Sequence, residues 1–290
     1  MPTSKDGYMP FMEYKTYFRI FGKPNPKKSP LLVLHGGPGS SHHYLLVLAE
    51  LAKSGRQIIF YDQLGGGLSD RPLNNRIWSM ELFVKELEAI REFLKLDKII
   101  LYGHSWGGML AAEYMCASVP KGVDKVIFAS SMVSMPLYRI EVDILKKDLP
   151  ADIYKMLSKH EKAGTTDSDE YHKAMAVYNK RHILKSDKMP VKYQSPPNSF
   201  GTAQYEKLWG VSEAYPDGVL KNWSRLEDLN MVKCPALVIS GQYDELTPRQ
   251  ALATAKMLPD ATVEIITGGT HLAHIEYPDT YLTAIAKFID

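Results

Sequence analysis

Residues 98–108 read Lys-Ile-Ile-Leu-Tyr-Gly-His-Ser-Trp-Gly-Gly. The apolar run predicts a short buried strand, and the residues that follow Ser105 predict a helix. Glycines two positions before and after the serine permit a tight turn between them, which would hold the hydroxyl clear of the sheet edge. The pattern is typical of a nucleophile elbow, with a helix N-terminus that favours developing negative charge. The alternative is a chance glycine-rich turn, and the flanking strand and helix weigh against it.

Strand-like and helix-like runs alternate on both sides of this turn. Such alternation predicts βαβ units, that is, a mostly parallel sheet with helices on both faces. The predicted elements outside residues 98–119 are strands at Tyr14–Phe21, Leu31–Leu34, Gln57–Tyr61, Lys125–Ala129, Ala236–Ser240 and Thr262–Ile266, and helices at Glu81–Leu94, Pro248–Met257 and Asp279–Ile289.

The pattern is interrupted in the middle of the chain. Strand-like runs nearly vanish there, and helices are predicted around Ile140–Lys147, Ala151–Ala163 and Ser168–Lys185. We therefore expect a core formed by residues 1–134 and 230–290, with a helical insertion at residues 135–229.

Composition excludes several classes of protein. With 35 Lys and Arg against 33 Asp and Glu in 290 residues, the formal net charge is +2, which offers no basic face for nucleic acid. No stretch reaches the ~18 consecutive apolar residues of a membrane span. The 2 cysteines cannot form a disulfide framework, so the expected location is the cytoplasm. The oligomeric state is left open.

A serine nucleophile needs a base, and the base needs an orienting acid. Asp244 follows the predicted strand Ala236–Ser240, and His271 follows the next strand, so both are expected at the same sheet edge. The order Ser, Asp, His is the one that accompanies this kind of elbow. A helix-capping aspartate and a surface histidine are the alternatives. His274 is a rival for the base, but the preceding Gly-Gly-Thr favours His271.

A second glycine-rich loop, His35-Gly-Gly-Pro-Gly39, follows the strand Leu31–Leu34. Glycines there let backbone N–H groups approach a substrate oxygen closely. We interpret the N–H groups of Gly37 and Trp106 as an oxyanion hole for a tetrahedral intermediate. A glycine-rich turn without a partner is the alternative.

Four motifs together carry a family resemblance. They are His35-Gly-Gly-Pro-Gly39, Asp62-Gln-Leu-Gly-Gly-Gly-Leu-Ser69, Gly103-His-Ser-Trp-Gly-Gly108 and Gly241-Gln-Tyr-Asp244. The chain resembles the proline iminopeptidase (prolyl aminopeptidase) family of α/β-hydrolases, which includes tricorn-interacting aminopeptidases and L-amino-acid amidases. The likeness covers nearly the whole chain and is weakest over the insertion.

The resemblance implies an α/β-hydrolase fold whose insertion is a helical cap over the serine. It also implies two glutamates that hold the free ammonium of the substrate, and these fall here on Glu213 and Glu245. The alternative is that Glu213 is a solvated helix-end residue and Glu245 a helix-dipole partner. Three departures bear on the pocket shape: Leu64 stands where the family usually has arginine, Val211 where it has proline and Ala214 where it has phenylalanine.

The function expected from residues and resemblance is a serine aminopeptidase. It would release an N-terminal amino acid, proline included, from short peptides or amino-acid amides through an acyl-enzyme, without metal or cofactor. An esterase or lactonase that acts on a small metabolite is one alternative, and a non-catalytic ligand-binding module is the other. The aromatic residues near the site could line an apolar subsite or simply pack between cap and core; they are Trp106, Tyr205, Trp209 and Tyr215.

Overall fold

A computed structural model describes residues 3–290 and contains one eight-stranded sheet. The spatial order of the strands is β1-β2-β4-β3-β5-β6-β7-β8; β1, β2 and β4 pair antiparallel, and the pairs from β4 onward are parallel. The strands are β1 Ser4–Phe11, β2 Tyr14–Phe21, β3 Leu31–Leu34, β4 Ile58–Tyr61, β5 Ile99–His104, β6 Val123–Ala129, β7 Ala236–Gly241 and β8 Ala261–Ile266.

Helices connect the strands and form the insertion. The α-helices are α1 Met80–Phe93, α2 Trp106–Glu113, α3 Met135–Lys147, α4 Ala151–Ala163, α5 Asp169–His182, α6 Thr202–Leu208, α7 Pro248–Met257, α8 Ala273–Glu276 and α9 Pro278–Ile289. A 3₁₀ helix spans His42–Ser54, shorter ones span Val191–Tyr193 and Glu227–Met231, and a π-helical turn at Tyr114–Ser118 extends α2.

The sheet is covered on both faces, as predicted. Along β5, Ile99 and Leu101 belong to one hydrophobic cluster, and Ile100 and Tyr102 belong to the other. Alternate residues of a strand point to opposite faces, so both sets are buried and the strand reads as a continuous apolar run. Residues of α1 and α2 pack in the first cluster, and residues of the 3₁₀ helix His42–Ser54 and of α9 pack in the second.

Most predicted elements are confirmed within a few residues, but β1, the 3₁₀ helices and the short helices α6 and α8 were not predicted. Strand β1 carries Gly7 and Pro10, which weaken a strand signal; it lies at the sheet edge, where proline is tolerated.

All eight strands lie outside residues 130–235, and α3 to α6 lie within that stretch. Helix α3 begins at Met135, where Ser134 accepts a hydrogen bond from the Leu137 N–H and Pro136 occupies the first turn. No helix within residues 3–290 is both long enough and apolar enough to cross a membrane.

Candidate active site

Ser105 lies at the turn between β5 and α2. Its backbone has φ 55° and ψ −123°, a conformation that non-glycine residues rarely adopt and that is typical of functional sites. A Cβ on Gly103 would overlap the backbone oxygen of Gly107, so the turn closes only with a glycine at this position. The sequence prediction of a strained strand-to-helix turn at Ser105 is therefore borne out in its geometry.

Asp244 and His271 meet across the ends of β7 and β8. His271 Nδ1 lies 2.9 Å from Asp244 Oδ1, and both residues are buried. The same aspartate oxygen accepts the Leu246 N–H at 2.9 Å, which holds the carboxylate in place. Because Asp244 binds Nδ1, the ring presents Nε2 as its free nitrogen. Ser105 and His271 line one cavity.

His274, the rival for the base, lies elsewhere. Its Nε2 is 3.1 Å from the backbone oxygen of Tyr44, and it is fully buried. Burial lowers the pKa of His274 to about 3, so it stays neutral. The geometry of the aspartate partner thus selects His271 over His274.

A buried hydrogen-bond chain joins the segments of the site, and no sequence motif predicted it. The Gly36 N–H donates to the Tyr44 hydroxyl oxygen at 2.7 Å, and that hydroxyl lies 3.0 Å from His104 Nδ1. His104 Nε2 in turn lies 3.1 Å from the backbone oxygen of His271. Burial holds the pKa of His104 well below its usual range, so the ring is neutral. One consistent proton arrangement results: Tyr44 donates to Nδ1, and His104 donates from Nε2.

The glycine-rich loop after β3 lies against the serine. A Cβ on Gly36 would come within 3.1 Å of the Ser105 Cβ. Gly37 has φ +112°, which a residue with a side chain would adopt only under strain. The Gly36 N–H is already used by Tyr44, so Gly37 remains as the candidate donor of the loop. Trp106 is the first residue of α2, where helix geometry leaves the N–H free.

Glu245 follows Asp244 directly and lies in the wall of the same cavity, with none of its surface exposed. Its Oε2 accepts hydrogen bonds from the Tyr138 hydroxyl at 3.1 Å and the Tyr178 hydroxyl at 3.3 Å. Its Oε1 is buried without a hydrogen-bond partner among the residues that the structure describes. A carboxylate oxygen in that state is prepared to accept a donor from a ligand.

Glu213 lies beside Glu245 and lines the cavity as well. Its Oε2 accepts the Tyr205 hydroxyl at 2.7 Å, and its backbone oxygen lies 3.2 Å from the Tyr138 hydroxyl. Tyr138 therefore contacts both glutamates. The three tyrosines lie on α3, α5 and α6; the sequence indicated Tyr205 only as an aromatic residue near the site, and Tyr138 and Tyr178 not at all.

Burial and proximity change the pKa values of the two glutamates. Burial raises the pKa of Glu213, and burial together with the neighbouring Glu213 raises the pKa of Glu245. Burial disfavours the charged form of His271, but the charges of Asp244, Glu245 and Glu213 and the hydrogen bond to Asp244 together outweigh it. They raise the pKa of His271 to about 9. Burial and mutual proximity thus disfavour the charged forms of the two glutamates in the free site, and a bound cation would offset that cost.

The cavity has a volume of about 630 Å³, within the range of sites for small organic ligands. Of the aromatic residues considered above, Tyr205 lines it. Trp106 and Trp209 are buried packing residues, and Tyr215 lies beside Lys146 outside the cavity. Among residues 3–290, no group of three histidine, cysteine or acidic side chains is arranged to hold a metal ion.

Comparisons with known proteins agree with these observations. A family model described as alpha/beta hydrolase fold matches residues 29–278. A curated proline iminopeptidase of Clostridium botulinum is 37% identical, over 98% of this chain and 98% of that protein. The crystal structure of VinJ superposes with a TM-score of 0.92 at 32% identity, covering 99% of both chains.

The crystal structure of proline iminopeptidase from Mycobacterium smegmatis superposes with a TM-score of 0.90 at 32% identity, covering 98% of this chain and 97% of that one. Both structural likenesses extend through the insertion as well as the core. The chain therefore belongs to the alpha/beta hydrolases and, within them, to the proline iminopeptidase family.

Proposed function

We propose that this protein is a serine aminopeptidase that releases an N-terminal residue, proline included, from short peptides or amino-acid amides. The observation that carries the proposal is the pair Glu213 and Glu245 in the cavity that also holds Ser105 and His271. A prolyl ammonium has two N–H donors, and the pair offers one carboxylate to each. Hydrogen bonds between charged groups are about twice as strong as neutral ones.

The proposed chemistry follows from the positions of the groups. Ser105 Oγ attacks the carbonyl carbon as His271 Nε2 takes the hydroxyl proton, and Asp244 stabilises the imidazolium. The N–H groups of Gly37 and Trp106 bind the oxyanion. The C–N bond then breaks, the leaving amine receives the proton from His271, and the acyl group stays on Ser105. Water, deprotonated by His271, releases the amino acid and restores the serine.

Residues 135–229 are proposed to act as a lid over this site. The three tyrosines that contact the two glutamates lie within this segment, as do the seven cavity-lining residues from Asn179 to Phe200. A lid of this kind admits a chain end and excludes an internal bond of a folded protein. We expect intact folded proteins to resist digestion.

The esterase alternative requires no site for an ammonium group. Matched substrates separate the two activities: prolyl arylamide and N-acetylprolyl arylamide have the same scissile bond, and only the first carries a charge at its nitrogen. We expect kcat/KM to fall at least tenfold on acetylation. Equal hydrolysis of both substrates would reject the aminopeptidase proposal and favour the esterase.

A further inference from the structure

The cavity at Ser105 has two ends of different chemistry. One end is acidic and closed: Glu245 is fully buried, and Tyr138, Tyr178 and Trp209 around it are buried as well. The other end carries apolar side chains, Ile183, Met189, Tyr193 and Leu272.

The apolar end belongs to a different part of the core. Tyr193 and Leu272 are buried in the hydrophobic cluster that contains the 3₁₀ helix His42–Ser54, and Ile183 and Met189 pack against it. The tyrosines and tryptophan at the acidic end belong to the cluster on the opposite face of the sheet. Ser105, at the end of the central strand β5, therefore lies between the two ends.

Sheet order places Tyr193 on the opposite side of β5 from the glutamates, whereas Leu272 follows β8, beyond β7, and donates its N–H to the Ile183 oxygen at 3.0 Å. Glu245 follows β7, which lies on one side of β5, and the loop that contains Ser40 follows β3, which lies on the other. Ser41 Oγ is 2.6 Å from Ser195 Oγ, which fixes the segment of Tyr193 on the β3 side. An ammonium at the glutamates thus directs the rest of a substrate past Ser105 toward the Tyr193 side of the apolar end.

That end is also where the cavity meets solvent. Phe200 is 48% exposed, and Gln194 and Ser195 are exposed as well. A second, more polar pocket of about 550 Å³ adjoins the first and shares Ser40, Ser195 and Phe200 with it. A peptide that enters by its amino end has room to continue past the apolar walls into this pocket.

We propose that Ile183, Met189, Tyr193 and Leu272 form a binding site for an apolar group on the leaving side of the scissile bond. The preferred substrates then have a large apolar residue, such as leucine or phenylalanine, directly after the released one. This inference rests on the proposed aminopeptidase activity, since the glutamates define which end of the substrate is bound where. Pockets of this kind discriminate by roughly tenfold or more per methylene group.

The test compares kcat/KM for four dipeptide amides: prolyl-glycine, prolyl-serine, prolyl-leucine and prolyl-phenylalanine amide. We expect the leucine and phenylalanine substrates to exceed the glycine and serine ones at least tenfold. Met189→Ser should reduce that ratio several-fold, because kcat/KM falls more for the leucine and phenylalanine substrates than for the glycine and serine ones. Met231→Ser is the matched control, because Met231 is 39% exposed and does not line the cavity; it should leave the ratio unaltered.

The remaining outcomes separate the two proposals. If N-acetylprolyl-leucine amide is cleaved as well as the free dipeptide amide, the aminopeptidase activity itself is wrong. If the free amine is required but the second residue has no influence, only the apolar site is wrong. A third outcome is that kcat/KM for leucyl-glycine amide exceeds that for prolyl-glycine amide at least tenfold. The apolar end would then hold the side chain of the released residue, and the proposal would be overturned.

Discussion

The loops at the strand ends and the insertion build the two halves of this site in different ways. Ser105, Asp244 and His271 each lie in the loop that follows a strand, within a few residues of a glycine. The insertion contributes Glu213 and three tyrosines from four separate places in the chain. Bond-breaking groups are thus placed by local backbone geometry, whereas the groups proposed to bind substrate are placed by helix packing.

The largest effect is expected at the strand-end loops. Ser105→Ala and His271→Ala should each lower kcat by roughly four to six orders of magnitude, Asp244→Asn somewhat less, and double variants little more than single ones, because the three residues act together. Turnover measurements, with fluorophosphonate labelling to count reactive serines, check this. Near-normal turnover in His271→Ala combined with loss in His274→Ala would show that the base is misassigned.

The next effect tests the half of the site that binds substrate. Glu213→Gln and Glu245→Gln should each lower kcat/KM for prolyl arylamide by roughly ten- to a hundredfold, the value of one charge-assisted hydrogen bond. A small neutral ester should be cleaved almost as before, because the triad is intact. Glu206→Gln, an exposed change on the same helix as Tyr205, is the control. Equal losses for the ester and the arylamide would mean that the glutamates support the fold and do not bind the amine.

Tyr44→Phe tests the loops at the strand ends without changing the insertion. The change removes the hydroxyl that accepts the Gly36 N–H and contacts His104. We expect kcat to fall about tenfold with KM nearly constant, because the loop that carries Gly37 loses a hydrogen bond that holds it in place. This effect is smaller than the loss of an oxyanion donor itself. Steady-state kinetics on arylamide and ester should show the same fall. A rise in KM alone would place Tyr44 in substrate binding.

The charge of Glu213, in the insertion, should also affect the pKa of His271, in a strand-end loop. His271 acts as a base only when neutral, so kcat/KM rises with pH as the imidazolium loses its proton. The Glu213 carboxylate helps to raise the pKa at which this happens. Glu213→Gln should therefore move the acidic limb of the pH profile to lower pH. A neutral ester is the substrate of choice, since it has no ammonium to titrate. An unmoved limb would show that the insertion does not influence the base.

The smallest effect on activity is expected at Glu86, in the core. It is fully buried, accepts the Leu64 N–H at 2.9 Å and bonds the Thr16 hydroxyl, and burial raises its pKa to about 7. The folded state holds this proton more tightly than the unfolded state does. Its contribution to stability is therefore complete below the unfolded pKa, near 4, and is lost as pH rises through about 7.

Glu86→Gln should remove this pH dependence. The difference in free energy of unfolding, variant minus wild type, should be higher at pH 8 than at pH 4 by on the order of 2–3 kcal/mol. Urea unfolding at several pH values measures it, and the exposed Glu88→Gln on the same helix is the control. Parallel curves for wild type and Glu86→Gln would mean that Glu86 titrates normally. Activity should stay within about twofold.

The comparison of the two halves also explains what could be predicted from sequence. The elbow at Ser105 and the positions of Asp244 and His271 follow from strand patterns and from nearby glycines, several of which pack so closely that a Cβ would overlap neighbouring backbone atoms. The partners of Glu245 could not be predicted, because Tyr138 and Tyr178 lie on different helices and only packing brings their hydroxyls together. Tyr44 was also missed, because the 3₁₀ helix on which it lies has no clear period.

The closed acidic end has a consequence for the order of events in a turnover. In the proposed arrangement, the departing fragment lies between the residue esterified to Ser105 and the exposed rim at Phe200. The fragment must therefore leave before the amino acid can, and water reaches the ester through the space that the fragment vacates. Another amine could follow the same route, so the enzyme would partition between hydrolysis and aminoacyl transfer according to what fills that space first.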